Sequence, residues 1–226
     1  MLDPYIRSMI DPPLNSIGKR LVALRISANM ITVMGFILGL VAIAMILIQH
    51  YSLAALFISF NRLLDGLDGA VARHGHLTDF GGFLDIVCDF IIYSGIVFAF
   101  GVVSKENLFY ALFLLFSFIG PITSFLAYAI IASKRKITSE KRGKKSFYYL
   151  GGICEGTETA AVLILFCLIP HHFNTICLVF GILCWMTTIG RIYNTWIDFG
   201  NKAIPVKTMN NAKQRAKKKA VVRLNP

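Results

Sequence analysis

The chain has 226 residues, room for one domain, and 56% of them are hydrophobic while 15% are charged. This composition excludes an ordinary soluble protein and is typical of a membrane protein. The net charge of +11 also admits nucleic-acid binding, with the tail KQRAKKKAVVR as the obvious candidate. Beside a membrane domain, however, a basic tail more often contacts anionic headgroups, so we expect membrane lipid and no nucleic acid as its partner.

The chain begins with MLDPYIRSMIDPPLN, which carries prolines and charges where a cleavable signal would carry an apolar run. We predict that residues 1–29 form an interfacial segment, either a helix or a pair of turns, ahead of the first membrane span. Residues 30–199 are predicted to form one membrane domain. Residues 200–226 then form a basic cytoplasmic tail.

Six segments of the membrane domain have the length and apolarity of spans, once the polar interruptions of some are accepted. A bilayer core takes about 20 helical residues per crossing, so the fold class predicted is an all-α integral membrane protein with six transmembrane helices. The predicted spans are Met30–Ile48, Leu53–Ala72, Phe83–Val103, Leu108–Ala132, Ile153–Ile169 and Thr175–Phe199.

Basic residues predict the orientation of these spans. Twenty of the 23 Lys and Arg fall before the first span, just after the second, between the fourth and fifth, or after the sixth. Lys105 is alone on the opposite side, and Arg62 and Arg191 lie inside spans. The excess of basic residues on one side places both termini in the cytoplasm.

Four aspartates lie at the ends of the second and third predicted helices, Asp65 and Asp68 on one and Asp85 and Asp89 on the other. Residues three or four apart share a helix face, so two antiparallel helices can direct all four carboxylates toward one point. Asp65 follows Ser52 by about 20 Å of helix, which puts the cluster near the cytoplasmic interface. Charged residues in a span usually mark an ion pathway, a catalytic site or a buried pair.

Carboxylates this close oppose one another's ionisation unless positive charge compensates them. An all-oxygen ligand set suits Mg²⁺ or Mn²⁺, and two carboxylates per helix allow two ions, the arrangement that clamps a phosphoryl group. The alternative is salt bridging to Arg62, Arg73 and Arg191. Three arginines would not neutralise four aspartates and two glutamates, so we favour the metal site.

Small residues accompany the aspartates, namely Gly69, Ala72, Gly81 and Gly82. Small residues often mean only close helix packing in membranes. Because these border carboxylates, entry of a flat ligand group between the helices is at least as good an explanation. Arg73 at the cytoplasmic mouth is then a candidate for binding phosphate.

The complete pattern is D65-x2-D68-G69-x2-A72-R73-x7-G81-x3-D85-x3-D89, and it resembles the signature of the CDP-alcohol phosphotransferase family. Eight defined positions within 25 residues match that signature. The segment SANMIT also resembles the family's first-helix motif of Ser or Thr, Pro, Asn, two variable residues and Thr. In it Ala28 replaces the proline, while Asn29 and Thr32 match.

This resemblance implies roles for the matching residues. Asp65, Asp68 and Asp85 would be metal ligands, and Asp89 would be a further ligand and the catalytic base. The nucleotide and diphosphate of the donor would contact six residues: Asn29, Thr32, Gly69, Ala72, Arg73 and Gly81. The implied reaction moves a phosphatidyl group from a CDP-linked lipid to a small alcohol with release of CMP.

The sequence does not identify the acceptor alcohol. Glu155 and Glu158 at the start of the fifth helix are candidate contacts for an amine headgroup, although acids at a helix start also bind its free amides or nearby lysines. Lys144 in the basic loop and Arg191, near Thr187 and Thr188, are candidate ligands for a phosphate on the acceptor. Arg191 is also a candidate for pairing with a buried acid.

Two other classes of protein use acidic residues in membranes. A divalent-cation transporter needs a pathway through the bilayer, whereas these acids cluster at one side. Membrane prenyltransferases are longer chains than this one, and their two aspartate-rich motifs lie far apart in the sequence. We therefore expect a transferase in the bacterial inner membrane with its site facing the cytoplasm, and the family resemblance alone implies a homodimer.

Overall fold

A computed structural model of the protein describes residues 3–135 and 152–200, with side chains from residue 10 onward. Every secondary-structure element in these two ranges is helical. The helices are α1 (Asp3–Ala23), α2 (Ala28–Leu47), α3 (Tyr51–His74), α4 (Asp79–Val103), α5 (Lys105–Lys134), α6 (Gly156–Leu168) and α7 (Phe173–Phe199), with a 3-10 turn at Pro170–His172.

Side-chain oxygens cap the starts of three helices. The hydroxyl of Ser27 accepts the backbone N–H of Met30 at 3.3 Å before α2, and Thr78 accepts that of Gly81 at 3.0 Å before α4. Ser104 likewise caps α5. The first N–H groups of a helix have no partner within it, so these hydroxyls fix where each helix begins. The residues between α3 and α4 are few, so the two helices run antiparallel, and both pack on α2.

The N-terminal segment forms the helix α1, one of the two forms that the sequence allowed, and it packs on α3. A Cβ on Gly18 would lie 3.0 Å from the backbone carbon of Ala70, and a Cβ on Gly66 would lie 2.9 Å from Cδ1 of Leu14. Small residues therefore allow a close approach of α1 to the part of α3 that carries Asp65 and Asp68. An interfacial location of α1 stays a prediction.

A buried aromatic cluster joins α3, α4, α6 and α7 at the ends farthest from the aspartates. The Phe100 ring stacks on Tyr51 with 5.4 Å between centroids and on Phe173 with 4.9 Å. Phe166 contacts Phe173 at 4.7 Å. These contacts fix four helices at one end, so the positions of the polar residues at the other end are held by a rigid base.

Helices occur at all six predicted span positions, and four of them are long and apolar enough to cross a membrane: α2, α4, α5 and the segment Pro170–Phe199 that contains α7. The polar residues of α3 keep it out of this group. The 13 residues of α6 cover only about 20 Å at 1.5 Å per residue. The count of six spans and the cytoplasmic termini therefore stay predictions.

The chain divides after Arg191, within α7, into two structural units. The aspartates and all the contacts described below lie in the first unit. Most of the basic loop between the fourth and fifth predicted spans, including Lys144, and the predicted tail from residue 201 onward lie outside the described residues.

Candidate active site

Three of the four predicted aspartates converge between α3 and α4. Asp65, Asp68 and Asp85 each offer a carboxylate oxygen, and these oxygens all lie within 4.8 Å of one another. Asp68 is buried and the other two are half-buried. This arrangement is what the spacing of the acids on two antiparallel helices predicted for these three residues.

Thr32 of α2 adds a contact to this cluster. Its buried hydroxyl donates a hydrogen bond to Oδ2 of Asp68 at 2.5 Å. The SANMIT segment at the start of α2 therefore lies directly against the acidic cluster. The nucleotide contact that the family resemblance implies for Thr32 stays a prediction. The hydroxyl orients the Asp68 carboxylate.

Asp89 lies beside the three converging aspartates and has a cationic partner. The guanidinium of Arg62 donates to both of its oxygens, from Nη2 to Oδ1 at 2.6 Å and from Nη1 to Oδ2 at 3.1 Å. The hydroxyl of Tyr93, one turn along α4, donates to Oδ2 at 3.0 Å. Arg62 also lies 3.6 Å from Asp65. The salt-bridge alternative thus holds for Asp89, while Asp65, Asp68 and Asp85 form the cluster.

The two signature glycines have different surroundings. A Cβ on Gly81 would lie 3.0 Å from Oδ1 of Asn29, so Asn29 of α2 directly faces Gly81. Among the described residues, only Nη1 of Arg73, at 3.3 Å, comes within 4 Å of a Cβ on Gly69, apart from its chain neighbours and the α3 backbone. Helix packing therefore does not explain Gly69, and the space beside it favours the ligand interpretation.

Arg73 contacts the N-terminal helix. Its Nη2 donates to Oδ1 of Asn15 at 3.3 Å and lies 3.8 Å from Oδ1 of Asp11. The side chain is one-third exposed, at the end of α3. Its other amino group faces Gly69, so Arg73 lies between α1 and the space that Gly69 leaves. Ala72, the preceding signature residue, is half-buried on α3.

The two glutamates of the candidate acceptor site bind the start of α6. Glu155 accepts the N–H of Gly152 at 2.9 Å, and Glu158 accepts the N–H of Glu155 at 3.2 Å, as part of a capping box. These are the helix-end contacts that the sequence offered as the alternative to acceptor binding. Capping accounts for both acids without a ligand.

Arg191 is buried, at 7% exposure, where α5 and α7 meet. Its Nη1 donates to the carbonyl of Pro121 at 2.7 Å. Close by, the Thr187 hydroxyl accepts the backbone N–H groups of Ile153 and Cys154 at 3.1 and 3.0 Å. The segment before α6 is thus attached to α7 next to Arg191.

A cavity surrounds the acidic cluster, and the acceptor candidates do not line it. Its lining residues are Thr32, Gly35, Phe36, Asn61, Asp65, Asp68, Asp85, Cys88 and Asp89. Asp89 is paired with Arg62. The other three carboxylates of the cavity are not matched by three cationic side chains among the described residues. The donor set is oxygen only, so it fits Mg²⁺ or Mn²⁺. The arrangement can hold a divalent cation and present it to a phosphate ligand.

Sequence reasoning named Arg62 only as a possible salt-bridge partner and missed Tyr93 and Asn61. A signal was present, because Arg62 lies one turn before Asp65 and Tyr93 one turn after Asp89. On two antiparallel helices, the residue one turn before Asp65 on α3 lies level with the residue one turn after Asp85 on α4. Arg62 is therefore opposite Asp89.

The model of the CDP-alcohol phosphatidyltransferase family matches residues 25–194, which include every site residue predicted from the sequence. The chain belongs to this family. It is therefore an enzyme, a phosphotransferase of phospholipid synthesis, and the resemblance that the signature indicated is confirmed. Neither a cation transporter nor a prenyltransferase is favoured by this match.

Two curated relatives cover most of the chain. The inner membrane protein YnjF of Escherichia coli is 43% identical over 198 residues, which are 87% of this chain and 96% of the relative. The archaetidylinositol phosphate synthase of Pyrococcus horikoshii is 31% identical over 194 residues, 83% of this chain and 93% of the relative. Together with the four membrane-capable helices, the first relative supports the conclusion that the chain is an integral membrane protein.

Solved structures of one protein share the fold. The phosphatidylinositol phosphate synthase PgsA1 of Mycobacterium tuberculosis with CDP-DAG bound aligns with a TM-score of 0.67 at 19% identity, over 84% of this chain and 98% of that one. The same synthase with manganese and citrate aligns with a TM-score of 0.65 at 18% identity, over 84% and 93%. At these identities the likeness establishes the fold alone.

Proposed function

We propose that this enzyme transfers a phosphatidyl group from a CDP-linked lipid, CDP-diacylglycerol, to the hydroxyl of a small polar alcohol and releases CMP. The observation that carries the proposal is the convergence of Asp65, Asp68 and Asp85 within 4.8 Å, inside a chain of the CDP-alcohol phosphatidyltransferase family. The fold neighbour with CDP-DAG bound supports the choice of donor.

Asp65, Asp68 and Asp85 would hold a divalent cation, Mg²⁺ or Mn²⁺. Manganese in the fold neighbour supports this assignment, as does the oxygen-only donor set. When bound, the metal would offset negative charge on the phosphoryl oxygens and on the departing CMP. The sequence-based expectation of two ions, with Asp89 as a further ligand, stays a proposal.

Several residues of α2, α3 and α4 would orient the CDP-linked donor. Asn29 and Gly81, which face each other, would border the nucleotide, while Gly69 and Ala72 leave room for it on α3. Thr32 would fix the Asp68 carboxylate, and Arg73 would contact a phosphate of the donor. The acyl chains would remain in the bilayer, because the site lies at the end of membrane helices.

Asp89 would act as the general base. Its carboxylate would accept the proton of the acceptor hydroxyl as the oxygen of that hydroxyl attacks the lipid-side phosphorus. Arg62 and Tyr93 would hold this carboxylate in place, because both donate hydrogen bonds to it. The bond between that phosphorus and the oxygen bridging to CMP then breaks, and CMP leaves with the electron pair.

The acceptor site is proposed around Arg191, with Lys144 and the two glutamates as the other sequence-based candidates. A buried guanidinium suits an acceptor that carries a phosphate. The Pyrococcus relative, an archaetidylinositol phosphate synthase, points the same way. Because Glu155 and Glu158 cap α6, an amine acceptor has less support.

The proposal also covers the location of the enzyme in the cell and its assembly. We infer that the enzyme lies in a bacterial inner membrane, that its site faces the cytoplasm and that it forms a homodimer. The basic residues of the predicted cytoplasmic segments and the inner-membrane relative support the first two points. Family resemblance alone supports the dimer.

The test is release of CMP from CDP-diacylglycerol by the purified full-length protein, with Mn²⁺ or Mg²⁺ and a pool of polar alcohols and their phosphates. We expect CMP release that needs both the metal and one acceptor, which the product mass then names. Asp89→Asn should abolish turnover while the protein remains folded. Normal turnover by this variant would contradict the base role. Ion flux into liposomes without CMP release would instead favour a cation transporter.

A further inference from the structure

The guanidinium of Arg62 binds the carboxylate of Asp89, which the family resemblance assigns to a metal ion. Arg62 lies one turn before Asp65 on α3 and contacts both oxygens of Asp89 on α4, at 2.6 and 3.1 Å. A two-point contact of this kind is among the strongest that a carboxylate makes, and it fixes the plane of the carboxylate. Asp89 is accordingly oriented toward Arg62.

Further contacts hold Arg62 in this position. Its Nε donates to Oδ1 of Asn61 at 2.8 Å, and the amide of Asn61 donates to the carbonyl of Gly35 on α2 at 2.8 Å. Arg62 also donates to the hydroxyl of Tyr93 and lies 4.8 Å from its ring centre. Only 12% of the Arg62 side chain is exposed. The network spans α2, α3 and α4, unlike a surface ion pair between mobile side chains.

This network leaves little room for a cation at Asp89. A carboxylate offers about four acceptor positions, and Arg62 and Tyr93 use three of them. A divalent ion on the fourth would lie within a few ångströms of the guanidinium, where the two positive charges repel each other strongly in a partly buried site. Arg62 and an ion are therefore alternative partners of Asp89.

We propose that Arg62 is a positioning residue that withholds Asp89 from divalent cations. The donor-free protein then binds one ion tightly, at Asp65, Asp68 and Asp85, and a second ion binds at Asp89 only when Arg62 has left it. The inference rests on the proposed function, because it takes the three aspartates as an ion site. It adds that Arg62 sets the number of ions bound before the donor arrives.

The test is a titration of the purified full-length protein with Mn²⁺ alone, followed by EPR, since a coupled ion pair and an isolated ion give different spectra. We expect an isolated-ion spectrum for the wild type. Arg62→Gln should bind a second ion about tenfold more tightly or better, about 1.4 kcal/mol per factor of ten, and give a coupled-pair spectrum. Arg20→Gln removes the same charge from an exposed position on α1 and should behave like the wild type.

Asp89→Asn distinguishes two explanations for tighter binding of the second ion. Either Arg62 blocks the Asp89 carboxylate, or its positive charge repels any nearby cation. In the double variant Arg62→Gln/Asp89→Asn the second ion should be lost, because the effect of Arg62 acts through Asp89. An equal gain in affinity with and without Asp89 would overturn the proposal. So would identical Mn²⁺ binding by the wild type and Arg62→Gln.

Arg62→Lys keeps the test decisive if Arg62→Gln does not fold. Lysine keeps the charge but cannot bind both oxygens as a planar fork, so we expect a second ion with an affinity between those of the wild type and Arg62→Gln. Second-ion binding equal to that of the wild type would overturn the proposal. Wild-type protein that binds no Mn²⁺ at all would instead refute the metal site of the proposed function, so the two failures are distinguishable.

Discussion

The hydroxyl of Thr32 and the carboxylate of Asp68 lie 2.5 Å apart and connect α2 to the acidic cluster of α3. Thr32→Val keeps the shape of the side chain and removes the donor. We expect the affinity for Mn²⁺ to fall by about tenfold or more, since residues that orient a metal ligand have effects of that size. Mn²⁺ titration measures this, and Thr32→Ser should restore most of the affinity.

Ser27→Ala is the matched control for Thr32→Val. It also removes a hydroxyl from the start of α2, but one that caps the backbone N–H of Met30. Loss of an N-cap typically lowers stability by about 1 kcal/mol, so the melting temperature should fall while Mn²⁺ affinity stays the same. Equal loss of Mn²⁺ affinity in Ser27→Ala and Thr32→Val would mean that the start of α2 matters only for folding.

Gly69 and Gly66 lie on the same helix and provide a second matched pair. A Cβ on Gly69 projects into space that only Arg73 approaches among the described residues, its own helix and chain neighbours aside, whereas one on Gly66 meets the flexible tip of Leu14. We expect Gly69→Ala to raise the KM for the CDP-linked donor by about tenfold, or about 1.4 kcal/mol, with an unchanged melting temperature. Gly66→Ala should leave the KM unchanged. Equal donor KM values for Gly69→Ala and the wild type would show that no ligand group enters there.

The helices and the approach of Asp65, Asp68 and Asp85 could be predicted from the sequence, because both depend on local rules. Apolar runs define the helices, and a spacing of three or four residues places acids on one face. The short connection between α3 and α4 makes the two helices antiparallel, and both pack on α2 with their acidic faces toward each other.

The partner of Asp89 could not be predicted in the same way. Its choice between a metal and Arg62 depends on the register of α3 against α4 and on side-chain rotamers, which spacing does not define. The glutamates of α6 show the same limit. An acid at position 155 or 158 is equally compatible with a ligand and with a cap, and only the backbone geometry at the start of α6 decides for the cap.

Arg73 lies between α1 and the space beside Gly69, and its contacts on the two sides are separable. Arg73→Gln should raise the donor KM by about tenfold if its other amino group binds a phosphate, because a charged hydrogen bond is lost. Asp11→Asn weakens only the contact to α1, at 3.8 Å between partly exposed groups, and such contacts contribute little. The donor KM of Asp11→Asn should therefore stay within about twofold of the wild-type value, because exposed ion pairs have small effects. Equal donor KM values for Arg73→Gln and the wild type would mean that Arg73 serves α1 alone.

Arg191 gives the clearest prediction about the acceptor. Its guanidinium is buried and donates to the carbonyl of Pro121 at 2.7 Å, and Gly152 of the segment before α6 lies beside it. Once the acceptor has been identified, Arg191→Gln should raise the acceptor KM by about tenfold to a hundredfold, as expected for loss of a hydrogen bond from a charged group to phosphate. The donor KM should not change. Arg191→Lys should recover only part of the affinity, because lysine lacks the planar fork.

Thr188→Ala controls for damage to the packing of α5 and α7 around Arg191. The Thr188 hydroxyl donates to the carbonyl of Cys184, and its side chain lies against Gly120 of α5, which leaves no room for a Cβ there. Its removal should lower the melting temperature without changing the acceptor KM, because the Arg191 charge that we propose binds the acceptor phosphate is kept. A rise in acceptor KM as large as that of Arg191→Gln would assign Arg191 to helix packing. A parallel rise in donor and acceptor KM for Arg191→Gln would do the same, since a packing defect disturbs both substrates.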